Sequence, residues 1–336
     1  MSAAYELQSA EDPKPSTAKR ALKVLLIVAL LMVVALGAFV FWLHATTIGQ
    51  IETVPEVFPE ETSRPAAEPE STAVNVLILG SDSRISAGDP SQWEAGAQRT
   101  DTMMLAQFSK KNNTVSFMSI PRDSWVNIPG YGEAKINAAY SYGGPKLTIQ
   151  TVEELTGVRI DHFALVDFTT FTRLTDQLGG VTIATVDGEK TMGGEEALRF
   201  VRERYSLAGG DFDRVKRQQA WVRAVISKAL SREVLTSPTT ALELLETVSA
   251  DMATDADLTT VKMVNYAFEA RGIRPQNITF MTSPSSGTGT SADGQSIVVV
   301  DHSRLDPLMK AWKTDDLAQY MEKHGSEITG LPQVVD

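Results

Sequence analysis

The chain has 336 residues, enough for one large domain or two small ones with a sizeable hydrophobic core. Its 31 lysines and arginines are outnumbered by 42 acidic residues, and the formal charge of -11 excludes nucleic-acid binding through bulk charge. It has no cysteine, which excludes disulfides, thiolate nucleophiles and cysteine-ligated zinc, and its 4 histidines are too far apart in sequence to indicate a histidine-rich metal site.

An apolar segment near the N-terminus predicts a membrane-spanning helix. Residues 24–43 carry no charge, and a helix of this length extends about 30 Å, the thickness of a bilayer core. Basic residues cluster before this segment, whereas residues 44–73 contain Arg64 alone, so the positive-inside rule keeps residues 1–23 in the cytoplasm and sends the rest outside. A cleaved signal peptide is the competing interpretation, but its small-x-small match at residues 35–37 lies inside the apolar segment, so we favour a retained anchor.

Residues 44–73 have the composition of an extended linker. Prolines alternate with glutamates from Glu52 to Glu70, and such a stretch can bury little apolar surface. We therefore expect this linker to hold a globular domain, residues 74–336, away from the membrane surface.

Strand-like and helix-like patterns alternate along residues 74–336. Strands are predicted at 74–79, 102–108, 115–120, 162–168, 181–184, 278–281 and 297–300, and the second and third form a hairpin around a polar loop. Helices are predicted at 145–156, 171–178, 195–205, 212–230, 240–248 and 258–270, and from residue 305 onwards. Residues 283–294, rich in Ser, Gly and Thr, are predicted as a loop. The alternation predicts an α/β fold in one domain, with a mixed central sheet and helices on both faces (α/β/α).

Charged residues collect where the predicted strands end, which is where α/β sheets bind ligands. Asp82 and Arg84 follow the first strand, and Arg99 and Asp101 stand at the start of the second. Two aspartates on polar turns can share a hard cation such as magnesium, while nearby arginines can neutralise phosphate oxygens. Each motif alone is also ordinary turn chemistry or a surface ion pair.

Further basic residues indicate a local anion site against an acidic background. They are Arg122 after the hairpin, Lys135, Arg202 and Arg204 on one predicted helix, and Arg214 and Arg217 with Gln218 on the next. On an ideal helix Arg204 lies about 160° from Arg202, so it faces elsewhere unless the helix ends there. A solvated basic helix face is the alternative interpretation.

Residues 75–230 resemble the catalytic domain of the LytR-CpsA-Psr family, the cell-wall glycopolymer ligases. The motifs occur in order at residues 80–84 (GSDSR), 99–102 (RTDT), 119–123 (SIPRD), 135–140 (KINAAY), 161–163 (DHF), 179–181 (GGV), 202–204 (RER), 211–214 (DFDR) and 217–219 (RQQ). The resemblance becomes vague after residue 231, and the extra C-terminal module common in this family is not evident.

The resemblance implies a phosphotransferase that moves the glycan phosphate of a polyprenyl-pyrophosphate-linked glycopolymer to a peptidoglycan hydroxyl. The expected acceptor is the 6-hydroxyl of N-acetylmuramic acid, and polyprenyl phosphate is released. Asp82 and Asp101 would hold Mg²⁺, with Mn²⁺ as its substitute, and would form the catalytic set with Arg99 and Arg122. The implied pyrophosphate contacts are Arg84, Arg99, Arg122, Lys135, Arg202, Arg204, Arg214, Arg217 and Gln218. The general base stays open, because a carboxylate bound to magnesium is a poor base.

The resemblance also implies an apolar tunnel for the lipid. The residues of suitable character are Phe163, Leu165, Phe168, Phe171, Leu174 and Leu178, although an ordinary core has the same periodicity. A pyrophosphatase that uses water as the acceptor and a non-catalytic scaffold that binds wall polymer are the alternative functions. A DNA-binding regulator is disfavoured, because the predicted topology separates the domain from DNA and no recognition helix is visible.

Overall fold

The computed structural model of the protein describes residues 52–69, 71–81, 100–204, 206–231 and 252–336, together with residues 234, 237 and 244. All of them belong to one unit, residues 50–336. The predicted cytoplasmic segment 1–23 and spanning helix 24–43 lie outside the described residues, as does almost all of the helix predicted at 240–248. Among the helices that are described, none is long and apolar enough to cross a membrane.

Strands and helices alternate along the described part of the chain. The strands are β1 (Glu52–Val54), β2 (Val74–Ser81), β3 (Thr100–Ser109), β4 (Thr114–Ser119), β5 (Ser124–Ile128), β6 (Gly132–Lys135), β7 (His162–Asp167), β8 (Val181–Thr185), β9 (Gly188–Met192), β10 (Met252–Asp255), β11 (Ile278–Thr282), β12 (Ser285–Thr290) and β13 (Ser296–Val300). The α-helices are α1 (Ala138–Thr156), α2 (Phe168–Gln177), α3 (Gly194–Arg202), α4 (Asp211–Ala229), α5 (Thr260–Glu269), α6 (His302–Lys313) and α7 (Leu317–His324).

The central sheet is mixed, as the sequence predicts. Within the described residues it has seven strands in the order β1-β10-β7-β2-β3-β4-β11. Strand β2 is parallel to β7 and antiparallel to β3, and β3 is antiparallel to β4, which confirms the predicted hairpin. The ends of β2 and β7 and the start of β3 therefore meet at one edge of the sheet, where Ser81 is paired with both Asp167 and Thr100.

Helices cover both faces of this sheet, which confirms the layered arrangement. Leu77 and Leu79 of β2 belong to a buried cluster with α1 and α6. Their neighbour Ile78 packs with Met104 and with Val222 of α4 on the opposite face. Strand β2 is a continuous apolar run because both of its faces are covered.

Two smaller sheets contain strands that the sequence does not reveal. Strands β12, β13, β5 and β6 form a four-stranded sheet in that order, and β8 pairs with β9. The predicted loop at residues 283–294 is therefore wrong at Ser285–Thr290, which forms β12. Strand β12 lacks bulky β-formers and is held by antiparallel pairing with β13, an interaction that depends on tertiary context.

Part of the predicted linker 44–73 is folded onto the domain. Strand β1 extends the central sheet beside β10, and Val54 and Val57 are buried in the core. The Arg64 guanidinium forms a buried ion pair with Glu153, with 2.7 Å between Nη2 and Oε1. The boundary predicted at residue 74 is corrected, because residues 52–69 bury specific apolar and charged side chains among the prolines and glutamates.

Candidate functional site

A cavity of about 220 Å³ lies between the central sheet and helices α2, α3 and α4. Its apolar wall comes from Ile78, Leu79, Met104, Val166, Phe168, Phe171, Leu198, Val201, Trp221 and Val222. The rings of Phe171 and Trp221 stack with 3.9 Å between their centroids. Such a wall suits an apolar chain.

Polar side chains line the same cavity near the sheet edge where β2 and β7 end and β3 begins. They are Asp101, Asp167, Arg202, Arg214 and Gln218. Asp167 caps α2, because its Oδ1 accepts a hydrogen bond of 2.7 Å from the backbone N–H of Thr170. The cavity therefore runs from a charged end, at the sheet edge, to an apolar interior.

A cluster of guanidiniums and carboxylates stands at this charged end. Arg122 contacts the carboxylate of Asp101, and its Nε lies 3.7 Å from Oδ1 of Asp211. Arg214 Nη2 lies 2.5 Å from the same Asp211 oxygen, and Arg204 Nε lies 3.9 Å from it. Asp211 thus faces three guanidiniums.

A second carboxylate extends the cluster towards β6. Lys135 Nζ lies 3.1 Å from Oδ1 of Asp123, and Arg204 Nη2 lies 3.9 Å from its Oδ2. We call Asp101, Arg122, Asp123, Lys135, Arg204, Asp211 and Arg214 the arginine cluster.

Two buried donors in the arginine cluster lack hydrogen-bond partners within the described part of the chain. They are Nε of Arg122 and Nε of Arg214, whereas the Asp211 carboxylate is paired with the Arg214 guanidinium at 2.5 Å. Burial lowers the pKa of Arg214, while the negative charge of Asp211 opposes that effect. Unsatisfied buried donors in a native fold call for an explanation, and an anion bound here would supply the missing acceptors.

The structure brings together most of the predicted anion-site residues that it describes. Asp101, Arg122, Lys135, Arg204 and Arg214 belong to the arginine cluster. Arg202 and Gln218 line the cavity beside Asp101 and Arg214, and the Arg202 guanidinium stacks on Phe168 at 4.4 Å from the ring centroid. Asp82, Arg84 and Arg99 lie outside the described residues.

Arg204 joins the cluster because the helix ends earlier than predicted. The sequence predicts a helix to residue 205, but α3 ends at Arg202 and Glu203 has an extended conformation with ψ 134°. The chain leaves the helix before Arg204, so the ideal-helix angle between the two arginines no longer applies.

Arg217 does not reach the arginine cluster. Its Nε donates to the backbone carbonyl of Asp336 at 2.6 Å, and its Nη1 donates to the carbonyl of Phe200 at 3.1 Å. The guanidinium also stacks on the Phe200 ring at 4.1 Å. These contacts fix α4 against α3 and the segment that ends at Asp336, so Arg217 holds other elements of the fold together.

Sequence reasoning missed Asp123 and Asp211 as members of the site. Both stand in motifs that also contain an arginine, and the sequence pattern predicts an anion-binding role for the arginine alone. The available signal was the carboxylate next to each arginine, because buried guanidiniums require a counter-charge.

The described residues do not complete a magnesium site by themselves. Among them, no group of three or more His, Asp or Glu side chains is placed to hold a metal ion. Asp101 is the described member of the predicted ligand pair, and Arg122 contacts its carboxylate. Oxygen ligands from Asp101 and Asp82 would suit magnesium chemically, but Asp82 lies outside the described residues.

Some residues of the predicted lipid tunnel line the cavity, and others belong to the hydrophobic core. Phe168 and Phe171 line the cavity, whereas Phe163 and Leu165 belong to the cluster on the α1 side of the sheet.

Fold and site together define an α/β protein with an apolar cavity that ends at a cluster of arginines and aspartates. The LytR_cpsA_psr family model matches residues 51–314, and the chain belongs to the LytR-CpsA-Psr family. This confirms the resemblance carried by the sequence motifs.

Named relatives and a solved structure agree with this assignment. The chain is 30% identical over 283 residues to the cell wall biosynthesis protein LcpA of Corynebacterium glutamicum, covering 69% of this chain and 54% of LcpA. It is 33% identical over 256 residues to the polyisoprenyl-teichoic acid–peptidoglycan teichoic acid transferase TagU of Oceanobacillus iheyensis, covering 70% of this chain and 74% of TagU. The crystal structure of B. subtilis TagT superimposes with a TM-score of 0.58 at 25% identity, covering 75% of this chain and 94% of TagT. The chain spans about half the length of the corynebacterial relatives that it matches.

Proposed function

We propose that the protein is a phosphotransferase that attaches a glycopolymer to peptidoglycan. It would transfer glycopolymer phosphate from a polyprenyl-pyrophosphate-linked donor to a peptidoglycan hydroxyl, the 6-hydroxyl of N-acetylmuramic acid, and release polyprenyl phosphate. The observation that carries the proposal is the continuity between the apolar cavity and the arginine cluster, because the donor has the same two parts. The names of TagU, a teichoic acid transferase, and of LcpA, a cell wall biosynthesis protein, support it.

The cavity would hold the first part of the polyprenyl chain. Phe168 and Phe171 from α2, with Trp221 and Val222 from α4, offer it an apolar wall. Each buried methylene contributes about 0.8 kcal/mol to binding, so even a short length of chain in the cavity favours a lipid-linked donor over a free nucleotide or sugar phosphate.

The arginine cluster would bind the pyrophosphate. Arg122, Arg204 and Arg214 surround one carboxylate, that of Asp211, and two of these arginines have buried Nε atoms that a phosphate oxygen could satisfy. Phosphoryl transfer needs mainly alignment and neutralisation of the charge on the non-bridging oxygens, and fixed guanidiniums provide both. Arg202 and Gln218 would contact the same group from the cavity wall.

Magnesium is part of the proposal. Asp82 and Asp101 would hold it, and together with Arg99 and Arg122 they would form the catalytic set. When bound, the ion supplies positive charge to the phosphate oxygens. Arg122, which contacts the Asp101 carboxylate, would stand beside the ion and contribute its guanidinium to the same phosphate.

The proposed location follows from the sequence outside the described residues. The uncharged segment 24–43 and the basic residues before it support a single-pass membrane protein with a cytoplasmic N-terminus and an extracytoplasmic domain. This topology would bring the domain to the compartment of peptidoglycan and of membrane-borne donor.

Product analysis by mass spectrometry tests the proposal. The full chain in detergent is incubated with a polyprenyl-pyrophosphate-linked saccharide, with or without magnesium, and with either peptidoglycan oligomers or water alone. A saccharide phosphodiester on peptidoglycan that requires magnesium is the expected product. Release of saccharide phosphate in both mixtures would instead identify a pyrophosphatase, and absence of any reaction would refute both enzymatic functions.

A further inference from the structure

The hairpin β5–β6 presents an open face beside the arginine cluster. Its register pairs Trp125 with Lys135 and Asn127 with Glu133. The alternate residues Val126 and Ile128 are buried in the core cluster, so the first four side chains point to the other face of the sheet. On that face Asn127 and Glu133 are exposed and Trp125 is half-buried. Val299 of the neighbouring strand β13, which pairs with Trp125, is 41% exposed.

Two exposed tyrosines stand at the tip of the same hairpin. Tyr131 is 57% exposed and Tyr142, at the start of α1, is 40% exposed. Their rings stack with 4.7 Å between centroids and 18° between planes. Gly130 and Gly132 both have φ of 79°, a conformation that favours glycine, so the turn that presents Tyr131 is fixed by its two neighbours.

The hairpin connects these tyrosines to the arginine cluster. At its base, Lys135 lies 3.1 Å from Asp123. Lys135 lies four positions after Tyr131 along the strand, a path of about 13 Å. We call Trp125, Tyr131, Asn127, Glu133 and Tyr142 the hairpin surface. It extends from the proposed phosphate site over the length of a short oligosaccharide.

The chemistry of the hairpin surface suits a neutral sugar chain. The C–H face of a pyranose ring packs on flat aromatic rings, and the exposed amide of Asn127 and carboxylate of Glu133 can bond hydroxyl and N-acetyl groups. The exposed carboxylate of Glu133 would repel the phosphates of an anionic polymer at this surface. This local charge favours the uncharged amino-sugar backbone of peptidoglycan over an anionic donor polymer.

We propose that the hairpin surface binds the amino-sugar strand of the peptidoglycan acceptor and leads its hydroxyl to the arginine cluster. The identity of this acceptor rests on the proposed function, but sugar binding at the hairpin surface does not require turnover. The lipid and the acceptor would then approach the pyrophosphate through different parts of the domain, the lipid through the cavity and the acceptor over the exposed sheet face.

Binding of a neutral amino-sugar probe tests this surface. The probe is the β-1,4-linked tetramer of N-acetylglucosamine, titrated calorimetrically into the full chain in detergent without donor or metal. Combined Tyr131→Ala and Tyr142→Ala substitution should weaken binding by about tenfold or more, because both stacking rings are lost. Tyr131→Phe, which keeps the ring, should bind the tetramer as the unmodified protein does.

Phe268→Ala is the matched control, since Phe268 is a 65% exposed aromatic residue on α5. It should leave tetramer binding unchanged. If the double variant does not fold, the tetramer should still shift the ring NMR signals of Tyr131 and Tyr142 in tyrosine-labelled protein.

Three results would overturn the inference. The first is a double variant that binds the tetramer as tightly as the unmodified protein, and the second is an unmodified protein that does not bind the tetramer. The third is a double variant that still binds the tetramer but no longer binds anionic phospholipid vesicles. The last would mark a membrane-contacting surface. Failure of phosphotransfer in the product assay contradicts the proposed function, whereas unchanged tetramer affinity contradicts the hairpin surface, so the two failures are distinguishable.

Discussion

Replacing Asp211 with asparagine should destabilise the domain, and inorganic pyrophosphate should restore the lost stability. In the folded chain Asp211 lies 2.5 Å from Arg214, 3.7 Å from Arg122 and 3.9 Å from Arg204. After the substitution Arg122 keeps Asp101 and Arg204 keeps Asp123, so the largest loss falls on Arg214, whose side chain is 6% exposed.

The size of the effect follows from the burial of these partners. Removing one partner of a buried ion pair costs about 3–5 kcal/mol, and we expect about 3 kcal/mol because Arg122 and Arg204 are partly solvated. For a domain of this size the melting temperature should fall by about 6 °C. Pyrophosphate at about 100 times its Kd should raise the free energy of unfolding of the variant by about 2.7 kcal/mol. It should stabilise the variant more than the unmodified protein, where Asp211 competes for the same guanidiniums.

The assay is thermal unfolding of both proteins, followed by circular dichroism over a pyrophosphate titration. Asp213→Asn is the matched control, because Asp213 stands two residues along the same helix and pairs with Lys216 at 2.8 Å, outside the arginine cluster. This control should also be destabilised but should gain no more from pyrophosphate than the unmodified protein does. An unchanged melting temperature for Asp211→Asn, or an equal gain in all three proteins, would refute the role of Asp211 as counter-ion.

Three further predictions concern the cavity, the attachment of residues 52–69 and a buried carboxylate. Leu198→Trp should fill part of the cavity, so that prenyl pyrophosphates bind more weakly while inorganic pyrophosphate binds as before. If calorimetry shows that the affinity for both ligands falls equally, the cavity is not a lipid site. Arg64→Ala should leave Glu153 buried without its ion-pair partner and lower the free energy of unfolding, measured by urea titration, by about 3 kcal/mol. A decrease of less than about 1 kcal/mol would mean that residues 52–69 are only loosely attached to the domain. Burial acts to raise the pKa of Asp255, but hydrogen bonding to His162 and backbone N–H groups outweighs it and lowers the pKa. The ionised Asp255 therefore stabilises the folded chain above the unfolded pKa of about 3.9, and this stabilisation is lost as the pH falls through the folded pKa. Urea unfolding measured from pH 6 to pH 3 should show that the free energy of unfolding falls less in Asp255→Asn than in the unmodified protein.

Local sequence patterns predict the centre of the fold well. The apolar run of β2, the hairpin β3–β4 and the glycine stop after α1 are all encoded by neighbouring residues, and Gly157 ends that helix with φ of 64°. The charged motifs at the strand ends predict the location of the site, because the parallel and antiparallel neighbours of β2 meet at one edge.

Tertiary contacts decide the features that the sequence pattern does not reveal. Strand β12 and the packing of residues 52–69 depend on partners far along the chain, so local composition was misleading for both. Arg217 lies one turn from Arg214, yet the carbonyls of Phe200 and Asp336 direct its guanidinium away from the cluster. Helical spacing alone could not predict these acceptors.

The most direct test of the proposed lipid-pyrophosphate site is a crystal structure of the protein bound to geranylgeranyl pyrophosphate. We expect the prenyl chain in the cavity beside Phe171 and Trp221, and the pyrophosphate within hydrogen-bond distance of Arg122 and Arg214, with their buried Nε atoms as donors. A pyrophosphate bound away from these arginines, or a prenyl chain bound outside the cavity, would contradict the account.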